Sequence, residues 1–174
     1  MCQILKISYN GGNLVVEVSA SRDLTNHMFE LYLFDFRTGE YGSKAYIRQV
    51  ITPKAYQDGG IYRFKHPIPS NCKIKCAVVD GEEVLVSRER FIGDRYKISI
   101  GMEKSEIGYL YTVKADLDIS RKLIFYKSPV SKTKIHLPAD IIVGETLMFT
   151  IKGDDFRPKF ECLPEFVDCF SIEG

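Results

Sequence analysis

The amino-acid sequence predicts an all-β protein that consists of two tandem antiparallel β-sandwich domains. Three observations support this prediction. Apolar and polar residues alternate along most segments, glycine-containing turns separate these segments at short intervals, and a similar order of motifs occurs twice. The chain has 174 residues, of which 45% are hydrophobic, so two small domains can each bury a core.

The first half of the chain is predicted to form a series of short strands. Turn signals such as Asn-Gly-Gly, Asp-Gly-Gly and Asp-Gly-Glu separate the strands, because Gly and Asp suit turn backbones. A short helical turn is expected within residues 52–57. The expected strands are residues 3–9, 13–19, 28–36, 61–65, 72–79 and 83–90, with a looser stretch at 45–51.

Motifs of the first half return in the second half in the same order. KISY at 6–9 matches KISI at 97–100, and LVVEVSASRDL at 14–24 matches YLYTVKADLDI at 109–119. A repeated order of motifs is typical of duplicated structural units.

A late strand of each half extends this repeat. Three alternating apolar residues precede DGEE in the first half and GDD in the second half, namely Ile74, Cys76 and Val78, and Leu147, Phe149 and Ile151. We therefore expect two related domains, residues 1–92 and 95–174. The short charged segment RERFIGDRYK joins them, with Gly93 near its middle.

The order of motifs in the first half resembles a known family of domains. ELYLFDFRTGE followed by GGIYRFKHPIPSNCKIKCAVVDGEE is similar to the second half of an immunoglobulin-like or fibronectin-III-like sandwich. It resembles in particular bacterial Ig-like units that accompany enzymes of surface-polysaccharide synthesis and generally carry no catalytic residues. The chain has no Trp, so the Cys…Trp…Cys signature of antibody domains is absent. The resemblance implies two tandem Ig-like domains that serve as an accessory module in a polysaccharide-related setting. Because Met1 is consistent with a native start and CFSIEG ends without a polar tail, we expect the chain to be the N-terminal part of a larger bacterial protein, which can include a covalently linked enzyme domain.

Composition argues against several classes of function. The formal net charge is +1, which does not supply the excess positive charge that phosphate backbones attract, so we expect no nucleic-acid partner. No stretch approaches the ~20 apolar residues of a membrane-spanning helix. The N-terminus lacks a basic segment followed by a long apolar run, so we expect no signal peptide and a cytoplasmic location.

The spacing of the cysteines argues against a metal site in the first half. Cys72 and Cys76 alternate with lysines in CKIKCAVV, as in a half-buried strand. Four residues of strand place them ~13 Å apart. Two thiolates on one zinc ion, or a disulfide, require a much closer approach. Cys162 and Cys169 flank Pro164, and a disulfide or metal site across that bend stays an alternative.

Neither the histidines nor the acidic residues form a motif that carries chemistry. His66 and His136 both precede a proline-containing segment, which suggests a repeated structural position, and His27 lies in an expected loop. The acidic turns do not match a calcium-binding loop. We therefore expect no catalytic residue, no metal and no cofactor. The acidic residues of these segments are Asp80, Glu82, Glu83, Asp116, Asp118, Asp154 and Asp155.

The segment FELYLFDF is apolar on both faces of the expected strand, which makes it the candidate binding site. Tyr32, Phe34 and Phe36 lie opposite the face that should enter the core, and Arg37 follows them. A sandwich strand ordinarily presents a polar face to water, so something should cover these rings. Three alternatives can cover the rings: another part of the chain, a partner protein, or a sugar that stacks on them.

These observations predict a non-catalytic interaction or accessory module that binds a protein partner. One alternative is a carbohydrate-binding module, with an exposed row of Tyr and Phe flanked by Glu30, Asp35 or Arg37. A less favoured alternative is a carboxylate-based hydrolase, which requires two converging acids near the joint between the domains.

Overall fold

The structure is a computed structural model that describes residues 1–128, 132–153 and 158–174. These residues form β-strands and three short 3-10 turns, so the predicted all-β fold class is confirmed. The 3-10 turns are Pro53–Ala55, Arg121–Leu123 and Pro164–Phe166. The strands are β1 Cys2–Asn10, β2 Asn13–Ala20, β3 Met28–Asp35, β4 Glu40–Tyr41, β5 Ile47–Val50, β6 Ile61–Pro67, β7 Cys72–Asp80, β8 Glu83–Ile92, β9 Tyr96–Ser105, β10 Gly108–Ala115, β11 Ile124–Lys127, β12 Lys134–His136, β13 Leu147–Lys152, β14 Phe160–Cys162 and β15 Phe170–Glu173.

Contacts divide the chain into two compact units. The first comprises Met1–Phe34 and Tyr41–Gly93, and the second comprises Asp35–Glu40 and Asp94–Gly174. The segment Asp35–Glu40 thus belongs by its contacts to the second unit, although it connects two strands that pair in one sheet. The separate domains at 1–92 and 95–174 stay a prediction.

The first unit is formed by two antiparallel sheets that share one core. One sheet has the order β1-β2-β6, and the other has the order β4-β3-β7-β8 with β5 beside β3. Alternation along β2 buries Leu14, Val16 and Val18, while the residues between them are partly exposed. The rings of Phe29 and Phe64 stack within the core with centroids 4.3 Å apart, which joins the two sheets.

Tyr62 fixes the loop that follows β2. Its hydroxyl accepts a hydrogen bond from the backbone N–H of Leu24 at 3.1 Å and donates one to Oδ1 of Asp23 at 3.1 Å. The ring is buried, and burial raises the pKa of Tyr62. This buried hydroxyl therefore has partners for both its donor and its acceptor function.

The second unit also contains two sheets. One has the order β13-β10-β9-β15, in which β15 runs parallel to β9, and the other has the order β12-β11-β14. Fully buried side chains of this unit come from strands and from the segments between them. They include Ile98, Val113, Ile119, Ile124, Leu137 and Ile141.

Strand pairing corrects one part of the predicted repeat. β13 pairs with β10 in the second unit, as β6 pairs with β2 in the first, so β13 corresponds to β6 rather than to β7. Leu147, Phe149 and Ile151 therefore do not take the place of the β7 residues. The sequence match was misleading because any half-buried strand shows the same alternation. His66 on β6 and His136 on β12 are not equivalent for the same reason.

Candidate functional site

The two faces of β3 have different surroundings. Phe29 and Leu31 are fully buried in the core of the first unit. Tyr32 and Phe34 lie on the opposite face and are half-buried. β3 is therefore apolar on both faces, as its sequence indicates, but the second face keeps part of its surface in water.

Lys75 lies between two aromatic rings on this outer face. β3 pairs with β7 so that Tyr32 lies directly opposite Lys75. The Lys75 Nζ atom is 5.0 Å from the ring centroid of Tyr32 and 4.9 Å from that of Tyr41. Such distances are typical of cation–π contacts, so two rings hold one ammonium group.

Hydrogen bonds and ring contacts fix the other side chains of this surface. The hydroxyl of Tyr32 donates to Oε2 of Glu30 at 2.9 Å, and this hydrogen bond raises the pKa of Tyr32. The ring of Phe34 contacts Tyr41 edge-on at 5.1 Å, and the Tyr41 hydroxyl donates to the carbonyl of Ile74 at 3.3 Å. We call Glu30, Tyr32, Phe34, Tyr41 and Lys75 the Tyr32 patch.

Two residues of the predicted binding row lie elsewhere. Phe36 follows the end of β3 and is only 6% exposed, with its ring 5.5 Å from Tyr96 and 5.3 Å from Phe170 in the second unit. Arg37 is exposed in the turn, 3.8 Å from the carboxylate of Asp35. For Phe36, the cover is therefore another part of the chain, and the exposed row of rings that the carbohydrate-binding alternative requires does not include Phe36.

The turn after β3 accounts for this difference. Oδ1 of Asp35 accepts a hydrogen bond from the backbone N–H of Arg37 at 2.9 Å, and the carbonyl of Asp35 accepts one from Gly39 at 2.8 Å. These bonds end the extended backbone, so the period-two alternation no longer applies to Phe36. Tyr41 and Lys75 were not predicted as site residues, because only the pairing of β3 with β4 and β7 places them beside Tyr32.

Cys72 and Cys76 are free thiols on β7, as the alternation of CKIKCAVV indicates. Cys76 is fully buried and Cys72 is half-buried. Burial raises the pKa of Cys76 to about 12 and that of Cys72 to about 11. Cys162 and Cys169 are also free thiols.

We expect Cys76 to resist thiol reagents in the folded protein. The thiolate is the reactive species, and a pKa of about 12 instead of 9.0 lowers its fraction near neutral pH about 1000-fold. The measurement is labelling by a maleimide, read per cysteine by peptide mass spectrometry, before and after unfolding. The control is Cys2, which is closer to the surface and should react faster. Labelling of native Cys76 as fast as Cys2 would contradict its burial.

The histidines have ordinary hydrogen-bond partners. Nε2 of His66 lies 2.6 Å from the side-chain oxygen of Gln49, and burial lowers the pKa of His66. Nε2 of His27 lies 3.1 Å from Arg22. Among residues 1–128, 132–153 and 158–174, no group of three or more His, Cys, Asp or Glu side chains is placed to hold a metal ion.

The acidic pair Asp154 and Asp155 lies outside the described residues. Within the described part of the chain, no helix is long and apolar enough to cross a membrane.

Comparisons with known proteins identify a structural likeness but no family. No family model matches the sequence, and no curated protein matches it. A search of solved structures finds a likeness to the crystal structure of a β-D-mannosidase from Dictyoglomus thermophilum, with a TM-score of 0.36 and 11% sequence identity. The alignment covers 98% of this chain and 22% of the mannosidase chain, so this chain spans less than a quarter of that protein's length.

Proposed function

We propose that the chain is a non-catalytic interaction module that binds a protein partner through the Tyr32 patch. The observation that supports this proposal is the ammonium group of Lys75 held between the rings of Tyr32 and Tyr41. Tyr and Phe are enriched in protein interfaces, where rigid rings bury much area at a small entropic cost. A partner carboxylate beside Lys75 and an apolar group beside Phe34 would complement this surface.

The same geometry argues against a carbohydrate-binding module at the Tyr32 patch. A sugar that stacks on Tyr needs an open ring face. Because Lys75 lies over the rings of both tyrosines, a sugar would have to displace a cation–π contact from each. The fixed position of the Tyr32 hydroxyl on Glu30 also removes that donor from a sugar hydroxyl.

The wider setting of the module is also part of the proposal. The Ig-like resemblance implies that the chain accompanies an enzyme domain of a larger bacterial protein in a polysaccharide-related setting. In that arrangement the chemistry belongs to the linked enzyme, and the module contributes a rigid binding surface. The cytoplasmic location and the absence of enzymatic activity stay predictions.

Site-specific photocrosslinking tests the proposed surface. A benzophenone side chain introduced at position 32 should yield a discrete protein adduct in an extract of the source cells, whereas the same group at position 63 should not. Arg63 is a suitable control site because it is exposed on β6, in the other sheet of the first unit.

Replacing Tyr32 should then weaken binding of the crosslinked partner. We expect Tyr32→Ala to raise the Kd at least about tenfold, since aromatic hot-spot residues of interfaces contribute about 2 kcal/mol or more. Arg63→Ala should leave the Kd unchanged, and a glycan array should show no binding by either protein. Glycan binding that Tyr32→Ala abolishes would contradict the proposal and favour the carbohydrate-binding alternative.

A further inference from the structure

Among the described residues, one edge of β14 in the second unit is unpaired, because β14 pairs with β11 alone. The Leu163 N–H donates to the carbonyl of Leu123 at 3.1 Å, so Leu163 and Leu123 form a hydrogen-bonded pair of these antiparallel strands. Hydrogen-bonded and non-hydrogen-bonded pairs alternate along an antiparallel ladder, so Cys162 and Phe160 are in non-hydrogen-bonded pairs. Their backbone N–H and C=O groups therefore point away from β11. Such an edge is a template for another strand.

Two cavities border β14 on the side of β15, and we call these two cavities together with the edge of β14 the slot. β15 pairs with β9 rather than with β14. A cavity of about 540 Å³ is lined by Phe125, Cys162 and Ile172, among others. A second cavity of about 370 Å³ is lined by Tyr111, Phe160 and the same Ile172. Cys162 of β14 lines the first cavity and Phe160 lines the second, so both cavities border β14 and the side chain of Ile172.

The rim of this slot is positively charged. Glu161 already has two ammonium groups near it, Lys127 at 3.7 Å and Lys159 at 3.3 Å. Lys134 places its ammonium group 4.1 Å from the ring centroid of Phe125. Three lysines against one glutamate leave a net charge of +2 at the rim, which complements carboxylates on an incoming segment.

We propose that this slot binds an extended segment of a partner protein, which adds to β14 as an antiparallel strand. Its backbone pairs with Phe160 and Cys162, and its apolar side chains enter the slot beside Ile172. Its intervening side chains are Asp or Glu, which face the lysines of the rim. Recognition through backbone pairing and alternate side chains is an established mode of peptide binding. The proposal does not depend on the Tyr32 patch, which belongs to the other unit.

Peptide binding to the purified chain tests this proposal. The probes are two fluorescent octapeptides, one alternating Val with Glu and one alternating Val with Lys. We expect saturable binding of the acidic peptide, at least about tenfold tighter than binding of the basic one. In the complex, the amide hydrogens of Phe160 and Cys162 should exchange more slowly than in the free protein. No saturable binding of the acidic peptide up to about 1 mM, or equal binding of both, overturns the proposal.

Two variants locate the binding site. Cys162→Pro removes an outward N–H but no bond of the β11 ladder, so it should abolish peptide binding, whereas the matched control Cys162→Ala should preserve it. Lys134→Glu changes an exposed residue and should reduce or reverse the preference for the acidic peptide. The Lys134→Glu variant therefore tests the proposal even if the Cys162→Pro variant fails to fold. Unchanged binding by Lys134→Glu contradicts the charged rim.

A second copy of the chain is the competing occupant. Sedimentation of the protein alone measures self-association, and hydrogen exchange measures whether that association protects the amides of Phe160 and Cys162. We expect no such protection. Protection that rises with protein concentration in the absence of peptide would assign the edge to a dimer and overturn the proposal.

Discussion

Replacing Phe36 with alanine is expected to lower the free energy of unfolding by about 3–5 kcal/mol. The ring is 6% exposed and packs edge-on against Tyr96 and Phe170. Its removal leaves a cavity, because the backbone around it is held by a hydrogen bond from Ser120 N–H to the Phe36 carbonyl at 2.7 Å. Urea unfolding followed by circular dichroism measures the change.

The neighbouring Arg37 is the matched control for this prediction. Its side chain is exposed, and its ion pair with Asp35 lies at the surface, so Arg37→Ala should change stability by no more than about 0.5 kcal/mol. A Phe36→Ala protein as stable as the Arg37→Ala protein would show that Phe36 is not a core residue. The sequence-based prediction that Phe36 is a binding residue would then gain support.

Replacing Phe29 with alanine should destabilise the first unit by a similar amount, about 3–5 kcal/mol. Phe29 is fully buried, and its ring stacks on Phe64 at 4.3 Å and on His66 at 5.8 Å. The substitution removes the aromatic contact that joins the two sheets and leaves the cavity lined by rigid strands. Thermal and urea unfolding both measure the loss.

Tyr32→Ala is the matched control for Phe29→Ala. It truncates an aromatic side chain on the same strand, three residues later and on the opposite face. Because Tyr32 is half-buried, its loss should cost about 1 kcal/mol, within the range of ordinary single substitutions. Equal destabilisation by the two variants would contradict the assignment of one face to the core and the other to a partially hydrated surface.

The strands and their turns could be predicted from the sequence because both follow local rules. Alternation placed β2 and β7 with small errors at their ends, and Asn-Gly-Gly predicted the first hairpin. Gly11 and Gly12 of that turn have φ values of 61° and 84°, which glycine adopts without strain. The buried position of Cys76 followed from the same alternation.

The set of residues that form the candidate site could not be predicted from the sequence. It depends on which strands pair and in which register, and no local sequence pattern determines either. Tyr41 and Lys75 join Tyr32 only through the register of β3 with β7 and the pairing of β3 with β4. Phe36 was misplaced because the hydrogen-bonded turn at Asp35 ends the alternation one residue earlier than the apolar pattern suggests. The open edge of β14 depends on β15 pairing with β9, which no local motif indicates.

The central claim is that a protein partner binds the Tyr32 patch. Hydroxyl-radical footprinting of Tyr32 and Phe36, with and without the partner identified by photocrosslinking, tests this claim most directly. In the free chain we expect oxidation of Tyr32 and protection of Phe36, since one ring is half-buried and the other is 6% exposed. Addition of the partner should protect Tyr32 and leave Phe36 unchanged. Ready oxidation of Phe36 in the free chain, or oxidation of Tyr32 that the partner does not alter, would contradict the claim.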